Sequence, residues 1–121
     1  MARPGRPKLP KPDLHASVDA FLDMLTAERG AADNTRQAYW RDLADVSVYL
    51  KTDRKSDINI ATTDDLKAYI DHLSKKMHTK GANKSQIAVR TVARRLSALR
   101  QYYRFLVSES KRKDDPTSTI D

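Results

Sequence analysis

The chain has 121 residues, of which 39% are hydrophobic and 32% are charged, and its formal net charge is +7. This composition is typical of one folded domain and is too apolar for a fully disordered chain. Cysteine is absent, which excludes disulfides and thiolate metal sites. No apolar run approaches the ~20 residues of a membrane-spanning helix, and the start lacks a secretory signal. We therefore expect a cytoplasmic or nucleoid-associated protein with no membrane partner.

Positive charge is concentrated in two segments of the chain. Residues 1–12 contain four basic residues and no acid, and residues 84–113 contain nine basic residues against one acid. The residues between these segments are slightly acidic as a group. A positive field focused in this way is typical of a protein that binds a polyanion such as a nucleic acid.

The sequence predicts a basic arm followed by a first helix. Residues 1–12 hold four of the five prolines, so we predict a disordered, proline-rich arm there. From Ser17 to Arg29, apolar residues recur at helical spacing, and Gly30 provides a stop. The apolar face of this helix consists of Val18, Phe21, Leu22 and Leu25.

A second helix is predicted to run to about Leu50. Its N-cap candidates are three consecutive polar residues, Asp33, Asn34 and Thr35. Its apolar face consists of Tyr39, Leu43, Val46 and Leu50. The polar stretch that follows, residues 51–61, contains Ile58 and Ile60 as expected apolar anchors.

The third and fourth predicted helices are separated by a basic, glycine-containing loop. Thr62 or Thr63 caps the third helix, whose first turn holds two acids. The apolar face of the third helix consists of Leu66, Ile70, Leu73 and Met77. The fourth helix begins either near Ser85 or as late as Thr91, and it runs to about Ser110.

These elements predict an all-α protein. No window alternates between apolar and polar residues for long enough to indicate a strand. Four amphipathic helices with short connections predict a small four-helix bundle over residues 13–110. We expect Asp115-Pro116 to end this domain, because the residue before a proline avoids helical geometry.

The fourth predicted helix has one apolar side and one basic side. At ~100° per residue, its apolar residues fall opposite Arg90. The side that faces away from the core consists of Arg90, Arg94, Ser97, Gln101 and Arg104, with Arg95 and Arg100 at its flanks. Arginine can bind phosphate or guanine, glutamine can pair with adenine, and serine can contact several bases. Most charged stripes are simply solvated, but no acid interrupts this one, so we predict a nucleic-acid contact.

Two further segments contribute to the predicted interface. Near the start of the second helix, where backbone N–H groups favour phosphate, the residues off the core side are Thr35, Arg36, Gln37 and Arg41. The lysines around the basic loop either follow a phosphate backbone or are solvated; they are Lys75, Lys76, Lys80 and Lys84. Of these lysines, Lys84 is included in the predicted DNA-binding site.

Three stretches in this order resemble one family. NTRQAYWRDL (34–43), RTVARRLSALRQYYRFL (90–106) and DDP (114–116) are similar to the N-terminal core-binding domain of tyrosine recombinases. Xer-type bacterial recombinases are the nearest in pattern, and phage integrases are further off. The family pattern N-T-x-x-x-Y-x-x-D-L is matched by Asn34, Thr35, Tyr39, Asp42 and Leu43. A later pattern, T-x-x-R-x-L-S-A-L-R, is matched by Thr91, Arg94, Leu96, Ser97, Ala98, Leu99 and Arg100.

This resemblance implies a SAM-like, orthogonal four-helix domain that forms half of a clamp around double-stranded DNA. In the family, the second and fourth helices lie in or near the major groove. The resemblance also implies other recombinase subunits as partners, four of them on two paired sites, although the isolated domain is expected to be monomeric. Residues 111–121 are then expected to begin the linker to a catalytic domain that carries out strand exchange.

The sequence predicts no catalytic site, no metal site and no cofactor. The catalytic residues that the resemblance implies belong to the domain after the linker. None of His15, His72 and His78 begins an H-x-x-R motif, and three scattered histidines are a poor ligand set for a metal. We therefore expect a DNA-binding fragment that is not an enzyme by itself.

Two alternatives stay open at this point. An unrelated helical DNA-binding regulator would be expected to contain a compact helix-turn-helix, whereas a long basic loop separates the third and fourth helices here. A helical protein-interaction module would place apolar hot spots within its exposed face. The arginine stripe of the fourth helix lacks such hot spots.

Overall fold

A computed structural model of the chain describes residues 14–78 and 84–120. It contains four helices, which are α1 (Ala16–Arg29), α2 (Asp33–Asp53), α3 (Thr63–His78) and α4 (Lys84–Ser108). This part of the chain contains no strand, so the all-α prediction is confirmed. Among the described residues, no helix is both long and apolar enough to cross a membrane. The predicted arm, Lys80, and the side chains of Met77 and Lys84 lie outside the described residues.

Helix α1 begins and ends where local hydrogen bonding dictates. At its start, Nδ1 of His15 accepts a hydrogen bond from the backbone N–H of Ser17 at 3.2 Å. At its end, Gly30 adopts a left-handed conformation with φ of 61°, and its N–H donates to the carbonyl of Leu25. A residue with a Cβ would be strained at this φ, so the predicted role of Gly30 as a stop is confirmed.

The start of α2 differs from the prediction. Ala32 occupies the N-cap position and forms no side-chain capping hydrogen bond. The three N-cap candidates therefore lie inside the first turn, and the prediction that one of them caps the helix is wrong. The carboxylate of Asp33 instead accepts a hydrogen bond from Gln37 Nε2 at 2.8 Å, one turn along the helix. The Asp33 carboxylate is thus paired with a side chain of its own helix and does not cap the helix start.

A reciprocal capping box defines the start of α3. Thr62 Oγ1 accepts a hydrogen bond from the backbone N–H of Asp65 at 3.1 Å, and Asp65 Oδ2 accepts one from the N–H of Thr62 at 3.0 Å. Of the two candidates, Thr62 is therefore the N-cap. The hydroxyl of Thr63 donates instead to the carbonyl of Pro116 at 2.8 Å. For α4, the structure selects the earlier of the two predicted starts.

The core is formed by the apolar faces of all four helices. Its largest fully buried side chains include Phe21, Leu22, Leu43, Leu50, Leu66, Tyr69, Leu99, Tyr102, Tyr103 and Leu106. Phe21 packs edge-on against Tyr102, with ring centroids 5.5 Å apart. The hydroxyl of the buried Tyr103 donates to the carbonyl of Ile58 at 2.6 Å, which links α4 to the segment before α3. Ile58 is a buried anchor as predicted, but Ile60 is 69% exposed, so its predicted anchoring role is wrong.

The segment after α4 folds back onto the bundle. Ser110 takes a left-handed φ of 58°, which reverses the chain direction. Arg112 then donates to the carbonyls of Asn59 at 3.2 Å and Ala61 at 2.7 Å, and Ile120 joins the hydrophobic core. The packed body therefore continues beyond the predicted boundary at residue 110. The role of residues 111–121 as the start of a linker stays a prediction.

The capping box makes part of the stability depend on pH. The hydrogen bond from the Thr62 N–H, with Arg54 2.9 Å away, holds the pKa of Asp65 below its usual range. A carboxyl with a lowered pKa stabilises the fold above its unfolded pKa of about 4, and this stabilisation is lost as the pH falls through the lower folded value. We expect Asp65→Asn to lower the free energy of unfolding by about 1 kcal/mol at pH 7.

The measurement is urea unfolding of both proteins at pH 7 and pH 3. The difference between wild type and Asp65→Asn should shrink at pH 3, because the carboxyl of the unfolded chain is then largely protonated and the ionised carboxylate contributes less to stability. The exposed Asp64→Asn, one residue earlier, is the matched control. A difference that stays constant with pH would contradict the assignment to the ionised carboxylate.

Candidate nucleic-acid interface

The outward side of α4 carries exposed cations at both ends of the predicted stripe. Arg90 and Arg104 are exposed, and among the described residues neither forms an ion pair. Ser97, between them, is also exposed. Arg90 and Arg104 are 14 positions apart, which corresponds to about 21 Å along a helix. This face is therefore a positively charged strip whose ends are available to an anionic ligand.

Arg94, in the same stripe, is held by a buried acid of α2. Its Nη2 and Nε donate to the two carboxylate oxygens of Asp42 at 2.9 and 3.2 Å. The Asp42 side chain is only 4% exposed, whereas that of Arg94 is 59% exposed. The two-point contact fixes the plane of the guanidinium while leaving much of the group in contact with solvent.

Arg95 was predicted at the flank of the stripe, and its side chain lies mostly inside the protein. Its Nη1 donates to Asp45 Oδ2 at 2.6 Å and to the hydroxyl of Tyr69 at 2.7 Å. Its Nε lies 2.7 Å from Asp42 Oδ1, although the N–H does not point at that oxygen, so this contact is an ion pair without a hydrogen bond. Burial, together with the carboxylate of Asp45, raises the pKa of Tyr69. The tyrosine thus remains a neutral partner in this network.

Gln101 is committed to two neighbouring side chains. Its Oε1 accepts a hydrogen bond from Arg29 Nη1 at 2.6 Å, and its Nε2 donates to the hydroxyl of Tyr39 at 2.7 Å. In this arrangement the amide joins the end of α1 and the start of α2 to α4. A contact from Gln101 to adenine would require at least one of these bonds to be exchanged.

Arg100 is directed toward the C-terminal segment. Its Nη2 donates to the backbone carbonyl of Ile120, and the residue is half-buried. It therefore helps to hold the folded-back segment against the bundle. DNA binding by Arg100 stays a prediction, and this contact gives the residue a structural role as well.

The polar residues near the start of α2 differ in their exposure and in their contacts within the protein. Arg36 forms an ion pair with Asp23 of α1 at 3.0 Å. Gln37 bridges Asp33, at 2.8 Å, and Arg41, at 3.5 Å. Arg41 and Thr35 are exposed.

Six of the predicted residues line two hollows. A groove of about 310 Å³ between α2 and α4 is lined by Asn34, Thr35, Ala38, Tyr39, Asp42, Arg94, Ser97 and Ala98. A second hollow of about 430 Å³ on the α1 side of α2 is lined by Asp19, Leu22, Asp33, Arg36, Gln37, Trp40 and Arg41. The first groove thus combines Thr35, Arg94 and Ser97, whereas Arg36, Gln37 and Arg41 face a hollow that also contains two acids.

Sequence reasoning missed two residues that organise this surface. Asp42 had a detectable signal, because it lies three residues after Tyr39 and four before Val46, so an acid falls beside the apolar stripe and needs a buried cation. Arg29 had no comparable signal, since its partner Gln101 is 72 residues away. Within residues 14–78 and 84–120, no group of three or more histidine or acidic side chains is placed to hold a metal ion.

Comparison with known families identifies the type of domain that these four helices form. The family model for the phage integrase N-terminal SAM-like domain matches residues 18–110, so the chain belongs to this family. This match confirms the SAM-like fold and the resemblance to recombinases.

Individual relatives share one printed name, tyrosine recombinase XerD. The protein of Rhizobium meliloti (strain 1021) is 45% identical over 106 residues, which cover 88% of this chain and 31% of the relative. That of Agrobacterium fabrum (strain C58 / ATCC 33970) is 45% identical over 106 residues, covering 88% and 29%. That of Caulobacter vibrioides is 37% identical over 105 residues, covering 87% and 31%. The chain thus spans about three tenths of the length of these relatives. No solved structure matches the chain.

The different environments of two arginines on α4 lead to a stability prediction. We expect Arg100→Ala to lower the free energy of unfolding by about 1 kcal/mol, because it removes a hydrogen bond to a backbone carbonyl. Arg104→Ala, one turn along the helix, removes the same charge from an exposed position and should change stability by less than about 0.5 kcal/mol. Urea unfolding at pH 7 compares the two variants. Equal effects would show that the contact with Ile120 does not stabilise the fold.

Proposed function

We propose that this domain binds double-stranded DNA through the outward face of α4 and the first turns of α2. The observation that carries this proposal is the exposed, acid-free strip of α4, from Arg90 through Arg94 and Ser97 to Arg104. A helix of about 10–12 Å diameter fits the major groove of B-DNA. The ~21 Å strip corresponds to roughly six base pairs at 3.4 Å each.

The surroundings of each side chain suggest a division of roles. Arg90 and Arg104 suit phosphate contacts, because they are exposed at the two ends of the strip. Ser97 and Thr35 line the groove between α2 and α4, where short hydroxyl side chains can approach base edges. Arg41 suits a phosphate beside the start of α2. Contacts from Arg36, Gln37, Arg100 and Gln101 remain part of the proposal, but each would have to share or exchange an existing intramolecular bond. Lys84 also remains part of the proposed site, on sequence grounds alone.

The family supports a wider proposal for the full-length protein. We infer that the domain is half of a clamp that holds recombination-site DNA, with the other half supplied by a catalytic domain. Two facts support this inference: the relatives are named tyrosine recombinases, and they are about three times longer than the matched region. Strand exchange would then belong to the complete protein, acting with other recombinase subunits as a tetramer on paired sites. The domain alone would be a non-catalytic monomer that acts at the bacterial nucleoid.

The direct test is fluorescence anisotropy with a labelled mixed-sequence duplex of 30 base pairs at several salt concentrations. With about four to six phosphate contacts, the slope of log affinity against log salt should be near −4 to −5. Arg90→Ala/Arg104→Ala should weaken binding at least tenfold at low salt and make the slope shallower by about 2, because two phosphate contacts are lost.

The matched control is Lys51→Ala/Lys67→Ala, which removes the same charge from exposed positions at the end of α2 and on α3. This control should retain most of the affinity. Equal loss in both double variants would mean that only net charge matters, and no binding by the wild type at low salt would refute the DNA-binding proposal. In that case, an acidic protein partner would be sought with the same pair of variants.

A further inference from the structure

We propose that Asp42 is a positioning residue that orients Arg94 for a two-point contact with DNA. This inference rests on the proposed DNA-binding function and assigns a role within it to a residue that does not itself reach the ligand. Asp42 is on α2 and Arg94 is on α4, so the contact also connects the two helices of the proposed interface.

The geometry of the pair leaves one edge of the guanidinium available. A guanidinium has five N–H donors, and Asp42 receives one from Nε and one from Nη2 of Arg94. Three donors remain, two on Nη1 and one on Nη2, and one from each nitrogen lies along the outer edge of the guanidinium. The Arg94 side chain is 59% exposed, so a ligand can approach. A pair of donors on one edge matches either two phosphate oxygens or O6 and N7 of guanine.

The position of Asp42 lets it orient Arg94 without repelling DNA. Its side chain is only 4% exposed, so the carboxylate is screened from a ligand on the surface. Arg95 approaches the same carboxylate from the protein interior at 2.7 Å and supplies a second positive charge. Arg95 is in turn paired with Asp45 at 2.6 Å. Asp42 therefore binds Arg94 on the surface side, while Arg95 compensates its negative charge from the interior.

Orientation should improve binding because it removes part of an entropic cost. A free arginine side chain loses rotamer freedom when it forms a bidentate contact, whereas Arg94 has already been fixed in plane by folding. Simple charge counting predicts the opposite effect of Asp42, since removing an acid near the interface makes the protein more positive. The two explanations therefore differ in the sign of the effect of Asp42→Asn on affinity.

The experiment measures the fluorescence anisotropy of the labelled 30-base-pair mixed-sequence duplex with the 121-residue chain at low salt. Asp42→Asn keeps the side-chain shape but loses the charge and the two-point acceptor. We expect it to bind about tenfold more weakly than wild type. Asp45→Asn is the matched control, because it removes the same charge from a carboxylate that contacts Arg95 but not Arg94. It should bind as tightly as wild type or slightly more tightly.

Two further variants, both at Arg94, test the same role. Arg94→Lys keeps the positive charge but lacks the planar guanidinium that forms a two-point contact. We expect its loss of affinity to be nearly as large as that of Arg94→Ala. In the Arg94→Ala background, Asp42→Asn should cause no further weakening, because the residue that it orients is gone. Helical circular dichroism and urea unfolding identify variants that have lost their fold. If Asp42→Asn is one of them, Asp42→Glu replaces it: this variant keeps the charge but shifts the carboxylate relative to Arg94, it should also bind more weakly than wild type, and equal binding would refute the positioning role.

The outcomes separate this inference from the proposed function. If wild type binds and Asp42→Asn binds equally or more tightly, or if Arg94→Lys binds like wild type, the positioning role is refuted and DNA binding stands. If wild type binds no duplex, both proposals fail. Repeating the comparison with a duplex of A·T pairs alone distinguishes the ligands: a tenfold effect on both duplexes indicates phosphate, and an effect only on the mixed sequence indicates guanine.

Discussion

A carboxylate buried between two helices organises the surface of this domain. Removing the charge of Asp42 from water is unfavourable unless cations surround it, and here two consecutive arginines of α4 do so. Without these two cations an uncompensated charge would be left in the interior. The ion pairs with Arg94 and Arg95 therefore favour one register of α2 against α4. Most of the predicted interface lies on these two helices, so their relative position sets its shape.

Some polar residues on this surface stabilise the fold, and others are exposed and available to a ligand. Gln101 joins three helices through Arg29 and Tyr39, and Arg100 holds the C-terminal segment. Arg90 and Arg104, in the same helix, form no ion pair among the described residues. The two sequence stretches that resemble recombinases also meet in space, because Asp42 belongs to the first and Arg94 to the second. Part of the family pattern is thus explained by contacts within the domain, independently of any contact with DNA.

Periodic patterns in the sequence were enough to predict four helices and most of their buried faces, because helical spacing depends on neighbouring residues alone. On α3, Tyr69 is fully buried, whereas the predicted Ile70 beside it is only partly buried. The predicted N-cap of α2 was wrong, because Ala32 occupies that position without a side-chain hydrogen bond. The carboxylate of Asp33 pairs instead with Gln37, one turn along the helix. The spacing of basic and apolar residues likewise predicted the exposed strip of α4. The partners of its residues were not, since the contacts Arg29–Gln101 and Asp42–Arg94 join positions 72 and 52 residues apart. Such distances depend on how the helices pack, which periodicity does not encode.

The folded-back segment after α4 has a mechanical consequence. Arg112 donates hydrogen bonds to the carbonyls of Asn59 and Ala61, and Thr63 donates one to the carbonyl of Pro116. These bonds hold the segment against the start of α3. Tension applied to the chain near Ile120 would therefore load these bonds before it reached the last turn of α4. A pull in this region would reach the start of α3 and the segment before it as well as α4, the helix that carries the basic strip.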